Sequence, residues 1–249
     1  MNLDKRTLIT ALLVIGGLIA AYFLFFRRLE MFGGVGKATM EPNPSQVQLP
    51  KPQWANAECL RDSAPFVYRL HSFLSPSECK HIIEQATPGF NRSKVIDNSN
   101  GSDKLDTVRT SSSSYLQRHH TAIIKAVEER AAAAFGVPVV NIEPLQVVRY
   151  YPGEKYDAHH DFFHHLSGTK GQRYGTILVY LNDDFEGGTT SFHKCGIEVT
   201  PITGDGVFWY DSWLNGGKCY CFEDSLHQGN PPKSGVKYAL NIWVRFEPF

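Results

Sequence analysis

The chain carries no excess charge of either sign: 25 Lys and Arg balance 25 Asp and Glu over 249 residues. A neutral chain lacks the basic field that holds nucleic acid, so that class of partner is not expected. Cysteine is scarce. The five, at 59, 79, 195, 219 and 221, are too few to staple a fold of this size, and no C-x-x-C pair points to structural zinc. There is no internal repeat. With 42% apolar and 20% charged residues, the composition is that of a globular protein, neither disordered nor collagen-like.

Long hydrophobic runs are absent except for one. Residues 7–26, TLITALLVIGGLIAAYFLFF, contain no charge. A helix of that length spans about 30 Å, the hydrocarbon thickness of a bilayer. The run is longer than a signal-peptide core, and no small-x-small cleavage site precedes Arg27, so an uncleaved anchor is expected. Residues 1–6 form a short tail whose Lys5 and Arg6 place the N-terminus inside and the main domain in a lumen, or in a periplasm in a bacterial cell. The expected location is a single-pass type II protein of the endoplasmic reticulum or Golgi membrane. Residues 27–56 are rich in Gly, Pro and polar side chains and read as a stem.

From residue 57 to 249 the pattern is α+β, mainly β. PSECKHIIEQA (76–86) reads as a helix capped by Ser75, with Cys79, Ile82, Ile83 and Ala86 on its buried face. A longer helix is expected over 115–135, stopped by Gly136 and Pro138. Beyond Val139 come short β-branched and aromatic runs: LQVVRYY, YGTILVYL, TTSFH, GIEVTP, GVFWYD and KYALNIWVRF. Such spacing suggests a sandwich or barrel with the helices packed outside. The polar stretch 91–114 between the helices is too long for a turn and stands where a lid could be. Its sequons at Asn91 and Asn100 matter only if the domain is luminal.

Three features suggest chemistry. In Tyr156-Asp-Ala-His159-His160-Asp161, an extended backbone turns His159 and Asp161 to one side and His160 to the other. His160 and His164 stand four apart and could instead pair on a helix, but no H-E-x-x-H accompanies them. His227 lies where a barrel returns towards its opening strands. Two His and one carboxylate on a face leave metal positions open, as in non-haem Fe(II) oxygenases. Lys237 follows across the turn 229–235. A buried Lys needs a partner, and a cosubstrate carboxylate would serve; a solvated edge-strand Lys is the plainer alternative.

Residues 57–249 resemble the prolyl 4-hydroxylases of the Fe(II)/2-oxoglutarate dioxygenase superfamily. The resemblance rests on an ordered set: LSPSECKHIIEQA, SKVIDN followed by VRTSSSSYL, Tyr150-Tyr-Pro-Gly-Glu-Lys-Tyr156-Asp-Ala-His159-His-Asp161, Arg173-Tyr-Gly-Thr176, Gly187-Gly188-Thr-Thr-Ser-Phe192, Gly204-Asp-Gly-Val-Phe208-Trp209-Tyr210, and Ser225-Leu-His227 through Lys237 to Trp243. It implies a double-stranded β-helix, or jelly-roll, with supporting N-terminal helices. It implies Fe(2+) held by His159, Asp161 and His227. Lys237 would pair with 2-oxoglutarate, assisted by Tyr150 and Thr176, with Tyr151 a competitor that strand packing explains better. Tyr156, Arg173 and Arg109 would border the substrate. O2 and ascorbate would complete the cofactors, and a proline-containing peptide or protein would be hydroxylated with release of succinate and CO2. Other readings keep the iron but take a lysyl residue or free amino acid, or make the domain a non-catalytic tethered binder. One departure concerns cysteine. Family members often carry H-x-x-C-P at the distal His, whereas this chain has His227-Gln-Gly-Asn230-Pro231. Cys195 is then free or bonded to Cys219 or Cys221.

Overall fold

Successive side chains of a strand point to opposite sides, so runs that are apolar at nearly every position require both faces of a sheet to be covered. A computed structural model, which describes residues 43–97 and 101–249, shows what covers them. One compact unit spans Asn43–Phe249. The apolar run 7–26, most of the expected stem and Asn100 lie outside the described residues. No helix among the described residues is long and apolar enough to cross a membrane.

An eight-stranded antiparallel sheet runs in the order Ala57–Arg61, Val67–Leu70, Gly206–Tyr210, Arg173–Tyr180, Lys237–Arg245, Gln146–Tyr150, Ser112–Tyr115, Asn91–Arg92. A four-stranded sheet runs Ile197–Val199, Thr190–Phe192, His227–Gly229, Tyr156–His159. Phe192 and Val199 of the small sheet pack on Tyr180, Val207 and Trp209 of the large one, which gives the jelly-roll its inner layer. The six runs marked as strands in the sequence all contain strands.

The outer face of the large sheet carries the opposite parity: Ile177, Val179, Phe208, Tyr210, Leu240, Ile242 and Val244. Helix α1 (Pro76–Ala86) and helix α2 (Ala122–Phe135) close it. α1 begins where the sequence indicates, with a reciprocal cap between Ser75 and Glu78. α2 begins seven residues later than expected. Leu116 donates its N–H to Leu145 O, Ser112–Tyr115 joins the sheet as a strand, and Thr121 caps the helix by accepting from Ile124 N. Gly136, at φ +69°, ends it in the left-handed conformation.

The expected stem is too long at its C-terminal end. Val47, Leu49 and Trp54 pack on the core, Trp54 lies 5.2 Å from the Phe73 ring, and Pro50 O accepts from the Tyr210 hydroxyl. Apolar residues spread among prolines lack a period, so the sequence does not reveal this contact. The 91–114 stretch contains a short hairpin, Val95–Ile96 with Asp103–Lys104, and is not merely a loop. All five cysteines are free thiols, and Cys195 Sγ donates to Asp224 O.

Candidate active site

Inward parity brings the chemistry to one place. Tyr150, Thr176, Tyr180, Lys237 and Trp243 all occupy inward positions of three neighbouring strands, and Lys237 is the cross-strand partner of Tyr150. From the small sheet, His227 is the cross-strand partner of His159. His159 Nε2 lies 3.7 Å from Asp161 Oδ1, and His227 Nε2 lies 3.9 Å from Asp161 Oδ2. One ligand atom from each of the three residues falls within 4.8 Å of the others, the only such triad among the described residues.

The imidazoles are set for ligation by their far nitrogens. His159 Nδ1 sits 2.8 Å from Asp157 O and His227 Nδ1 3.0 Å from Ser225 O. A carbonyl only accepts, so each Nδ1 carries the proton and each Nε2 keeps its lone pair for a metal. Burial lowers both imidazole pKa values, which favours the neutral form that binds a cation. Burial pushes the Asp161 carboxyl up, but His227, Arg173 and His159 outweigh it and hold the group below its ordinary range. A divalent ion fits this donor set.

Asp161 is also oriented. Its Oδ2 accepts from Trp243 Nε1 at 2.9 Å and from Thr176 Oγ1 at 2.8 Å. Arg173 lies beside it, 3.8 Å from Oδ1, locked in a two-pronged pair with Glu143 and stacked 3.6 Å from the Trp243 ring. Burial raises the Glu143 carboxyl, but Arg173 and Arg245 outweigh it and keep the group ionised. His160 turns away, with Nε2 on Glu223 O and its ring centroid 5.8 Å from that of His164.

Lys237 is 1% exposed, and its Nζ donates to Gly188 O at 2.7 Å. No carboxylate pairs with it among the described residues, and burial drives its pKa down to about 7. An ammonium buried with a single neutral acceptor is costly unless an anion joins it. It lines the same small cavity as His159, Asp161 and His227, next to Tyr150 and Tyr180. The cavity therefore has cation-binding ligands at one end and an anion-binding ammonium at the other, as a chelating dicarboxylate requires.

Thr176 corrects one expectation. It does not face the small cavity. It sits behind Asp161, its hydroxyl engaged with Asp161 and Asp211. Tyr150 does face the cavity, whereas Tyr151 is exposed and stacks under Arg149. Tyr156 lies flat on His159, 3.4 Å between ring centroids, with Arg109 over its other side at 4.5 Å. Both line a groove of about 970 Å³ that reaches His159, Asp161, Arg173 and Trp243. Glu143, Trp243 and Asp211 were not singled out from the sequence. Trp243 shares parity with Lys237, which could have pointed to it; Glu143 and Asp211 carry no comparable signal.

Residues 145–245 match the family described as the 2OG-Fe(II) oxygenase superfamily. The chain is 34% identical to Prolyl 4-hydroxylase 1 of Arabidopsis thaliana, over 96% of this chain and 94% of that protein. It belongs to the prolyl 4-hydroxylase family. A putative prolyl 4-hydroxylase of Acanthamoeba polyphaga mimivirus is likewise 34% identical, over 74% of this chain and 75% of its own. Among solved structures, the viral collagen prolyl hydroxylase of Paramecium Bursaria Chlorella virus-1 superposes with a TM-score of 0.58 at 24% identity, covering 83% of this chain and 97% of its own. That likeness supports the jelly-roll. As a member of this family, the protein is a dioxygenase that uses Fe(2+), 2-oxoglutarate and O2, with ascorbate typical as reductant.

Proposed function

We propose that the protein hydroxylates proline within peptides, at C4, while 2-oxoglutarate is converted to succinate and CO2. The observation that carries this reading is a junction. His159, Asp161, Tyr156 and Trp243 line both the small cavity that holds Lys237 and the long groove open to a polymer. A cosubstrate seated in the cavity and a chain lying in the groove would meet at the metal ligands. Bound there, iron and 2-oxoglutarate supply the oxidation: one oxygen atom of O2 becomes the new hydroxyl and the other enters succinate.

The protein's part is placement. His159, Asp161 and His227 hold the metal, Lys237 receives the far carboxylate of the cosubstrate, and Tyr150 stands beside it. Tyr156 and Trp243 give the groove aromatic walls, which suit a proline-rich chain because polyproline II is already extended and has little entropy to lose. Arg109 lines the groove with its guanidinium over Tyr156, held by Lys94 O and Gln146 Oε1. Arg173, bound to Glu143, holds the wall and Asp161 together.

The proposed setting is a membrane, with residues 7–26 as anchor and the domain in the lumen of the endoplasmic reticulum or Golgi. The support is the uncharged run of twenty residues followed by a polar stretch.

Poly-proline and collagen-like peptides, with lysine-bearing peptides as controls, test the substrate. Succinate release that depends on the proline peptides, together with one added oxygen located on proline by mass spectrometry, is the expected result. Oxygen on lysine, or succinate release indifferent to peptide, would overturn the reading.

A further inference from the structure

Behind the metal ligand Asp161 lie two side chains that the reaction does not by itself call for. Thr176 Oγ1 is 2.8 Å from Asp161 Oδ2 and 2.7 Å from Asp211 Oδ2. All three residues are buried, Thr176 and Asp211 completely. A threonine hydroxyl has one proton and can satisfy only one of two carboxylates. Were both ionised, one of those short contacts would set two lone pairs against each other in a site buried away from solvent. A second proton must therefore lie among the three groups.

Its place follows from the neighbours. Asp161 has the Arg173 guanidinium 3.8 Å from Oδ1 and the Trp243 N–H on Oδ2, both favouring the charged form. The Asp211 carboxyl has the Trp209 indole N–H at 2.7 Å on Oδ1 and no ion pair, since Arg173 is spent on Glu143. Its backbone is pinned on both sides, Asp211 N to Tyr174 O and Phe222 N to Asp211 O, so the carboxyl cannot swing out to solvent.

We propose that Asp211 is a positioning residue: its neutral carboxyl donates from Oδ2 to Thr176, whose hydroxyl then donates to Asp161 Oδ2. With Trp243, that gives Oδ2 two donors and leaves Oδ1, which accepts no hydrogen bond, as the freer donor atom for the metal. Burial and the charge of Asp161 push the Asp211 carboxyl well above its ordinary range, in the same direction. Outer hydrogen bonds of this kind orient a ligating carboxylate and set its affinity. The inference rests on the family's metal site and is independent of the peptide.

Asparagine has the groups to replace the neutral acid, with its carbonyl oxygen accepting from Trp209 and its amide donating to Thr176. It cannot replace a carboxylate that accepts from both. The test is Co(II) titration of the full-length, metal-free protein, reading the dissociation constant and the visible absorption of bound Co(II), with the thermal midpoint of the metal-free form as control. Thr176→Val and Asp211→Ala are expected to weaken Co(II) binding by roughly tenfold or more and to alter the spectrum, whereas Asp211→Asn stays within about threefold of the parent with its spectrum. Weakening by Asp211→Asn as large as that of Asp211→Ala would overturn the proposal. So would a Thr176→Val protein with the parent constant and spectrum. Should Asp211→Ala fail to fold, the other two variants decide by the same criteria, with the loss in Thr176→Val as the reference for Asp211→Asn.

Discussion

His227 stands directly across the antiparallel ladder from His159, with their ring centroids 4.2 Å apart, although it lies 68 positions further along the chain. Two strands thus deliver one imidazole each to the same point, and the ladder holds their spacing without any direct contact between them being required.

His227→Ala is expected to abolish succinate release and to leave the purified protein without stoichiometric iron, while far-ultraviolet circular dichroism stays native. His160→Ala, one position from a ligand but turned to Glu223 O, should retain its iron. Metal analysis of both proteins checks the pair; iron lost equally from the two would contradict the assignment.

Lys237→Ala removes the one cationic side chain among the described residues that line the small cavity. A charge-assisted hydrogen bond in such a place is worth about 2–3 kcal/mol, so KM for 2-oxoglutarate should rise on the order of 30- to 150-fold, more than kcat falls. Steady-state kinetics against 2-oxoglutarate measures it, and an unchanged KM refutes the role.

The same ammonium gives a pH dependence. Burial holds it down to about 7 when no anion is bound, and only the protonated form pairs with a carboxylate. Affinity for 2-oxoglutarate should therefore fall as pH rises above 7, by up to about tenfold per unit at the limit, and binding at pH 8 should take up a proton. Calorimetry in buffers of different ionisation enthalpy reads that proton. Affinity that is flat from pH 6.5 to pH 8.5 counts against it.

Linkage extends the argument to stability. Lys237 binds its proton more weakly in the folded, ligand-free protein than in the unfolded chain, so its contribution to stability rises with pH between about 7 and the ordinary lysine value. Lys237→Met, apolar and of similar length, should raise the midpoint of thermal unfolding at pH 7 by several degrees while weakening use of 2-oxoglutarate as the alanine variant does. A lowered midpoint would show that the bond to Gly188 O outweighs desolvation.

Gly175→Ala tests the packing that seats the large sheet on α2. A Cβ there would fall 2.7 Å from Phe135 Cζ and 2.7 Å from Trp209 O, with Phe135 Cε1 nearer still. Neither the backbone oxygen nor a ring stacked on Phe208 and packed against Tyr174 can give way easily. A loss of roughly 3 kcal/mol or more in chemical denaturation is expected. A loss under about 1 kcal/mol would mean that the helix shifts freely on the sheet.

Much of this was legible in the chain. Ser75 and Glu78 cap α1 through atoms three residues apart, and the alternation in KYALNIWVRF separates Lys237 and Trp243 from Leu240 and Ile242 before any fold is known. The start of α2 was not, because an apolar period of 3.6 continues back through Leu116, whose backbone is claimed by Leu145 instead. Thr176 read as a cosubstrate ligand because its strand and inward parity are right. Parity does not say how far along the barrel axis a side chain stands, and Thr176 stands behind Asp161.

By itself the sequence determined that the six apolar runs beyond Val139 hold strands, which face their side chains take, and that His159 and Asp161 share a side two residues apart. Those are local properties, set by the pleat and by capping atoms within a few residues. Tertiary structure alone decided that His227 faces His159, that Lys237 is buried without a carboxylate, that Arg173 is bound to Glu143 thirty residues away, and that Asp211 stands behind Thr176. Strand order and register bring these groups together, and both are fixed by burying two sheets and two helices at once, a balance over the whole chain that no short segment encodes.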